Sequence, residues 1–266
     1  MMIIKIGGGK DIKNNLDNIL SDIANLNEKV IIVHGANHEM KIISEKLGKP
    51  ERIVKSPSGF TSRYTDKETI EIFEMVYSGI ANKRIVQKLQ KLGVNALGLS
   101  GLDGRLLVGK RKPYVKIVKD EKIKLLRENY TGTVEKINSE LLNLLIKNDY
   151  VPVIAPPAIS FKGEPINVDN DRIVGALCKG IKTDTIISLF EAPGLLKDLN
   201  DPDSLINKID KDELENYMKF AKGRMKKKIH HAQDAFENDL RKIIFSDGRT
   251  KNPVTDALDG RGTIIE

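Results

Sequence analysis

The 266-residue chain carries 44 Lys and Arg against 37 Asp and Glu, a formal net charge of +7, with 40% hydrophobic and 30% charged residues. That balance belongs to a globular protein of one large domain or two joined lobes, with no apolar run near the roughly 20 residues that span a bilayer and no small-residue cleavage site that would mark a secretory leader. The lone Cys178 excludes an intrachain disulfide and points to a reducing cytoplasm; aromatics at 5%, without Trp, argue against a base-stacking single-strand binder.

Residues 3–6 and 30–33 read as buried strands, each followed by glycine and a helical pattern. Ile12, Leu16, Ile19, Leu20 and Ile23 share one face of a helix expected over 11–26. A long helix starts at Thr65-Asp66, an N-cap pair with Glu68 and Glu71 in the first turns, and runs to about 92 with a break near Ser78-Gly79. Residues 104–136 alternate in short segments and read as a β-hairpin excursion. Asn138-Ser139 caps a helix to about 147, and 169–179 form another; 151–154, 185–189 and 243–245 are further strands. This order predicts an α/β fold with a mainly parallel sheet and helices on both faces. The pattern restarts near Thr183, which divides the chain into lobes at 1–182 and 183–266.

Five segments carry candidate chemistry. Lys5-Ile6-Gly7-Gly8-Gly9-Lys10 follows a strand, where glycines let backbone N–H groups approach an anion; a tight turn with a surface lysine fits equally. Val33-His34-Gly35-Ala36-Asn37-His38 repeats strand, glycine and helix start, so two anion-binding turns are expected side by side. His34 and His38 are four apart and His230-His231 could add ligands, but a strand end and a helix start share no face, so no metal site is expected. Arg63, just before the long helix, is either a carboxylate-gripping fork or a surface arginine. In Asn167-Val168-Asp169-Asn170-Asp171, Asp169 or Asn170 serves as helix cap, which leaves Asn167 and Asp171 without structural duty. Gly223-Arg224-Met225-Lys226-Lys227-Lys228 opens a helix with cations, which the helix dipole disfavours unless an anion sits nearby; a solvated charge run is the alternative. Residues 104–111 come within one residue of a P-loop, but Arg111 replaces the Ser/Thr and the interior reads as a strand.

In this order the segments resemble the amino-acid kinase family, most closely its N-acetylglutamate kinase branch, over nearly the whole chain. The resemblance implies a three-layer αβα sandwich and ATP with Mg²⁺. It makes Lys5 and Lys228 the catalytic lysines, held by Asp171, with Gly35, Ala36, Arg63 and Asn167 on the substrate and Gly7, Gly8 and Gly194 on the nucleotide side. It assigns acyl-substrate binding and dimerisation to 1–182 and nucleotide binding to 183–266. Two departures stand out: the usual His-Gly-Gly is His34-Gly35-Ala36, which requires a negative φ at Ala36, and the usual Asp-x-Pro-Gly turn is Glu191-Ala192-Pro193-Gly194. Residues 58–66 and 223–228 further resemble kinases whose substrate, α-aminoadipate or glutamate, is linked through its amino group to the small acidic carrier protein LysW. The basic balance suits such a partner, with Gly109, Lys110, Arg111 and Lys112 as a candidate contact. The alternatives are a kinase of free N-acetylglutamate and a non-catalytic amino-acid sensor. With the first strand at residue 3 there is no room for the extra N-terminal helix of arginine-inhibited relatives, so a homodimer is expected; neither nucleic acid nor membrane is expected as a partner.

Overall fold

The computed structural model describes residues 1–236 and 240–266. β1 (Met2–Ile6) is buried throughout, as a central parallel strand is. It leads into α1 (Lys10–Asn14) and α2 (Leu16–Ala24). These replace the single helix expected over 11–26: the Asn15 amide between them donates to the carbonyls of Gly248 (2.9 Å) and Thr250 (2.6 Å), and that tether breaks the helix. β2 (Val30–His34) follows, then α3 (Asn37–Lys46) and a small antiparallel pair, β3 (Ile53–Lys55) with β4 (Thr61–Arg63). Asp66 caps α4 (Lys67–Glu74) by accepting from Thr69 N–H at 2.9 Å. The break expected at Ser78-Gly79 is a π-helical stretch, Met75–Ala81, which passes into α5 (Asn82–Lys91).

β5 (Ala96–Gly101) and β6 (Leu107–Arg111) precede the expected hairpin, β7 (Tyr114–Lys119) with β8 (Lys122–Arg127), and β9 (Gly132–Ile137) returns antiparallel to β6. The P-loop-like run is therefore mostly strand. Asn138 caps α6 (Ser139–Lys147). β10 (Val151–Ser160) runs past the expected end at 154 and continues through Pro156 and Pro157, residues that lack ladder donors. Next come β11 (Pro165–Asn167), α7 (Asn170–Gly180) capped by Asp169, β12 (Thr185–Phe190), β13 (Lys208–Ile209), α8 (Leu214–Tyr217), α9 (Arg224–Phe236), β14 (Lys242–Asp247), α10 (Pro253–Leu258) and β15 (Thr263–Ile265).

The main sheet runs β13-β15-β14-β12-β1-β2-β10-β6-β9, with β5 and β11 also on β10. The central pairings β14-β12-β1-β2-β10 are all parallel. Alternate residues of β1 face opposite layers: Ile3 joins Ile31, Leu177 and Ile229 under α7 and α9, while Ile4 and Ile6 join Ile19, Leu20 and Leu89 under α2 and α5. Each such fully buried aliphatic side chain contributes about 1.5–3 kcal/mol. The result is a three-layer αβα sandwich. β1 lies between β2, which follows it in the chain, and β12, which is reached much later through α7, and at such a reversal of strand order a crevice opens beyond the carboxyl ends.

Candidate active site

The two glycine turns expected at neighbouring strand ends lie back to back. Gly35 N–H donates to Ile6 O and His38 N–H to Gly8 O, each at 2.8 Å. A Cβ on Gly8 would stand 2.5 Å from Ala36 N and 2.6 Å from Asn37 N, so no larger residue fits without moving the backbone. Gly7 N–H donates to Leu189 O at 2.9 Å and extends the β1–β12 ladder past its last pair. Ala36 has φ −151° and ψ 32°, which meets the requirement of a negative φ but lies outside the main α and β regions.

Lys5 shares the strand face of Ile3 and points under α7 and α9. Its Nζ meets Asp171 Oδ1, in the first turn of α7, at 2.5 Å. Lys228 Nζ, from the first turns of α9, lies 3.2 and 3.4 Å from the two oxygens of the same carboxylate. Two ammonium groups thus converge on one carboxylate, a surplus of one positive charge in a largely buried place. Burial pushes the Lys228 ammonium down to about 8; Asp171 opposes that shift and the Lys5 charge adds to it. Burial also disfavours the charge on Lys5, but contact with Asp171 outweighs it and raises that group. Burial disfavours the Asp171 carboxylate, yet the two cations hold it well below the usual carboxylate range. The Lys228 ammonium also sits 5.2 Å from the Phe190 ring centre, at the end of β12.

Arg63, at the end of β4, is no free surface side chain. Its Nε and a terminal nitrogen reach Glu51 Oε1 at 2.8 and 2.5 Å, and the same nitrogen lies 3.4 Å from Asn37 Oδ1. Tyr77 O–H donates to that Asn37 oxygen at 2.8 Å. Asn167 Nδ2 donates to the buried Thr65 hydroxyl at 3.0 Å, which ties β11 to the segment after Arg63. Lys227 Nζ donates to Thr61 O at 3.0 Å and so joins α9 to the β3–β4 pair. Glu191 accepts from Asp11 N–H at 2.8 Å, at the start of α1. Gly194 lies against β15 instead of the lysine pair: a Cβ there would stand 2.5 Å from Thr263 Oγ1. His34 is fully buried, its imidazole pushed down to about 4 by burial, and its Nε2 is 3.1 Å from the Asn82 amide. It is a core histidine.

A family model described as "Amino acid kinase family" matches residues 1–246. The chain belongs to the amino acid kinase family. Two relatives are named "[LysW]-aminoadipate kinase". The one from Deinococcus radiodurans is 45% identical over 100% of this chain and 91% of its own length. The one from Thermus thermophilus is 43% identical over 100% of both chains. Among solved structures, N-acetylglutamate synthase from Neisseria gonorrhoeae superimposes on 99% of this chain with a TM-score of 0.80 at 18% identity; the chain spans 58% of that protein, and the likeness is one of fold.

In this amino acid kinase family member, sequence reasoning missed Glu51, Asn37 and Tyr77. Asn37 directly follows the second glycine turn, a position that could have singled it out. Tyr77 reaches it from the π-helical stretch, whose apolar pattern gave no sign of a polar task. Within the candidate carrier contact, Arg111 is turned inward: it pairs with Glu164 at 2.5 Å, donates to Asn129 O at 2.8 Å and stacks 3.6 Å from the Tyr130 ring centre.

Proposed function

We propose that the protein is a kinase that transfers the γ-phosphoryl group of MgATP to the side-chain carboxylate of 2-aminoadipate, glutamate or both, linked by the amino group to a LysW carrier protein, and so forms an acyl phosphate for lysine or arginine biosynthesis. The observation that carries this reading is the pair of ammonium groups, Lys5 and Lys228, on one carboxylate beside two glycine turns. A surplus positive charge held out of water is complementary to a transferring phosphoryl group. The names of the two relatives support LysW-linked aminoadipate as an acceptor.

In this mechanism an oxygen of the acceptor carboxylate attacks the γ-phosphorus. The bond from that phosphorus to the β,γ-bridging oxygen breaks, and its electron pair leaves on ADP. The nucleophile is already an anion, so no general base is required. Lys5 and the Gly8 turn face the phosphoryl group from β1, Lys228 stabilises charge on the leaving side, and Asp171 orients both ammonium groups. Gly35, Ala36, Arg63 and Asn167 hold the acyl substrate; Gly7 shapes the turn, and Gly194 shapes the nucleotide side. Asp171 is already committed to two lysines. Mg²⁺ would enter with ATP as part of the substrate and would supply charge neutralisation on its phosphates.

The lobe at 1–182 is assigned to the acyl substrate and to homodimer contacts, for which the exposed Met75 and Ile80 offer apolar surface, and 183–266 to the nucleotide. The buried, free Cys178 suits a cytoplasmic setting. ADP release with MgATP and, in turn, LysW-linked aminoadipate, LysW-linked glutamate and N-acetylglutamate tests the reading. Turnover on the carrier-linked acceptors is expected. Turnover on N-acetylglutamate alone replaces the carrier by a free small molecule, and silence on all three from folded protein favours an amino-acid sensor.

A further inference from the structure

Among the described residues, β7 and β8 form a two-stranded arm that pairs with no other strand. Residues directly opposite in an antiparallel pair share a face, so the register sorts the arm into two sides. Val115, Ile117, Lys119, Lys122, Lys124 and Leu126 lie on one side, and Ile117 is buried there. Tyr114, Lys116, Val118, Ile123, Leu125 and Arg127 lie on the other, where Tyr114 is 53%, Ile123 65% and Leu125 44% exposed. This open face is an apolar stripe flanked by two cations. Those two cations are Lys116 and Arg127, and the arm's two acids, Asp120 and Glu121, sit in the turn with φ near +55°.

An isolated two-stranded hairpin is marginally stable in water, and contiguous exposed apolar surface marks an interaction site. The arm is rooted beside the proposed acyl-substrate side. Tyr64 O–H donates to Arg127 O at 2.6 Å, Tyr130 N–H to Thr65 O at 2.7 Å, and β3 packs on β7. Tyr64 and Thr65 directly follow Arg63.

We infer that the open face of the β7–β8 arm is the docking surface for the folded body of the protein that carries the acyl substrate. The partner surface complementary to it is acidic around an apolar centre. This rests on the carrier-linked reading above and moves the contact from residues 109–112, where Arg111 is turned inward, to the next hairpin. Docking there holds the carrier while its tethered acyl group reaches past Arg63.

Unloaded LysW, titrated onto the full-length enzyme by calorimetry, tests docking apart from chemistry. Ile123→Ser with Leu125→Ser should raise its Kd by about tenfold or more, the size of a hot-spot truncation above roughly 1.4 kcal/mol. Lys116→Glu with Arg127→Glu should do the same and flatten the dependence on salt. The Tm and the ATP KM should stay as in wild type, since these side chains face solvent. An unchanged Kd in the serine variant, or no binding of LysW to wild type, overturns the inference. Wild-type turnover of LysW-linked aminoadipate, measured alongside, reports on the kinase reading separately.

Discussion

Lys5, Asp171 and Lys228 form the pivot of the proposed site, and their coupling makes distinct predictions for each. Lys228→Ala removes one preorganised cation and should lower kcat by about 10²–10³ while the acceptor KM stays within a few-fold. Because Lys228 titrates at about 8 in the free protein, kcat/KM for ATP should fall as pH rises through that value. Lys228→Arg, whose guanidinium stays charged, should move that limb upward; an unshifted limb assigns it elsewhere. Asp171→Asn leaves two buried ammonium groups without a counter-ion and should cost about 3–5 kcal/mol in denaturant melts at neutral pH. The folded-state depression of the Asp171 carboxyl contributes stability above its ordinary value of 3.8, lost as pH falls through the lower folded value, so the penalty of Asp171→Asn should shrink in acid. Asp171 was legible in the sequence as an acid left over once Asp169 took the cap. Glu51 was not, because its task is to hold Arg63 from 12 residues away, across the turn of a hairpin.

The strand-to-helix turns govern the next scale. Gly8→Ala drives a methyl into Ala36 N and Asn37 N and should nearly abolish turnover and lower Tm. Ala36→Gly should leave kcat within a few-fold, since φ is already negative, and should change stability by less than about 1 kcal/mol in a thermal melt, because the added chain entropy is offset by relief of a ψ of 32° that lies outside the main regions. These turns could be read from glycine after an apolar run. Other features could not: α1 and α2 are separated by a contact from Asn15 to residues more than 230 positions later, and β10 outlasts its own prolines because neighbours on both sides keep it extended. Periodicity carries local information, and these are long-range constraints.

At the scale of the whole molecule, alternation of apolar runs with helical stretches was enough to indicate a parallel sheet covered on both faces. A net charge of +7 suggested an anionic partner without locating it, since charge sums say nothing of which side chains turn inward. Arg111 does, while the cations of the β7–β8 arm stay in solvent. In the proposed reaction a carboxylate leaves the enzyme as an acyl phosphate. Hydroxylamine traps such a product as a hydroxamate. With wild-type enzyme, MgATP and LysW-linked aminoadipate, hydroxamate on the carrier-linked side chain should form in step with ADP. ADP without hydroxamate, or neither, from folded protein would contradict the assignment of Lys5, Asp171 and Lys228 to phosphoryl transfer onto that carboxylate.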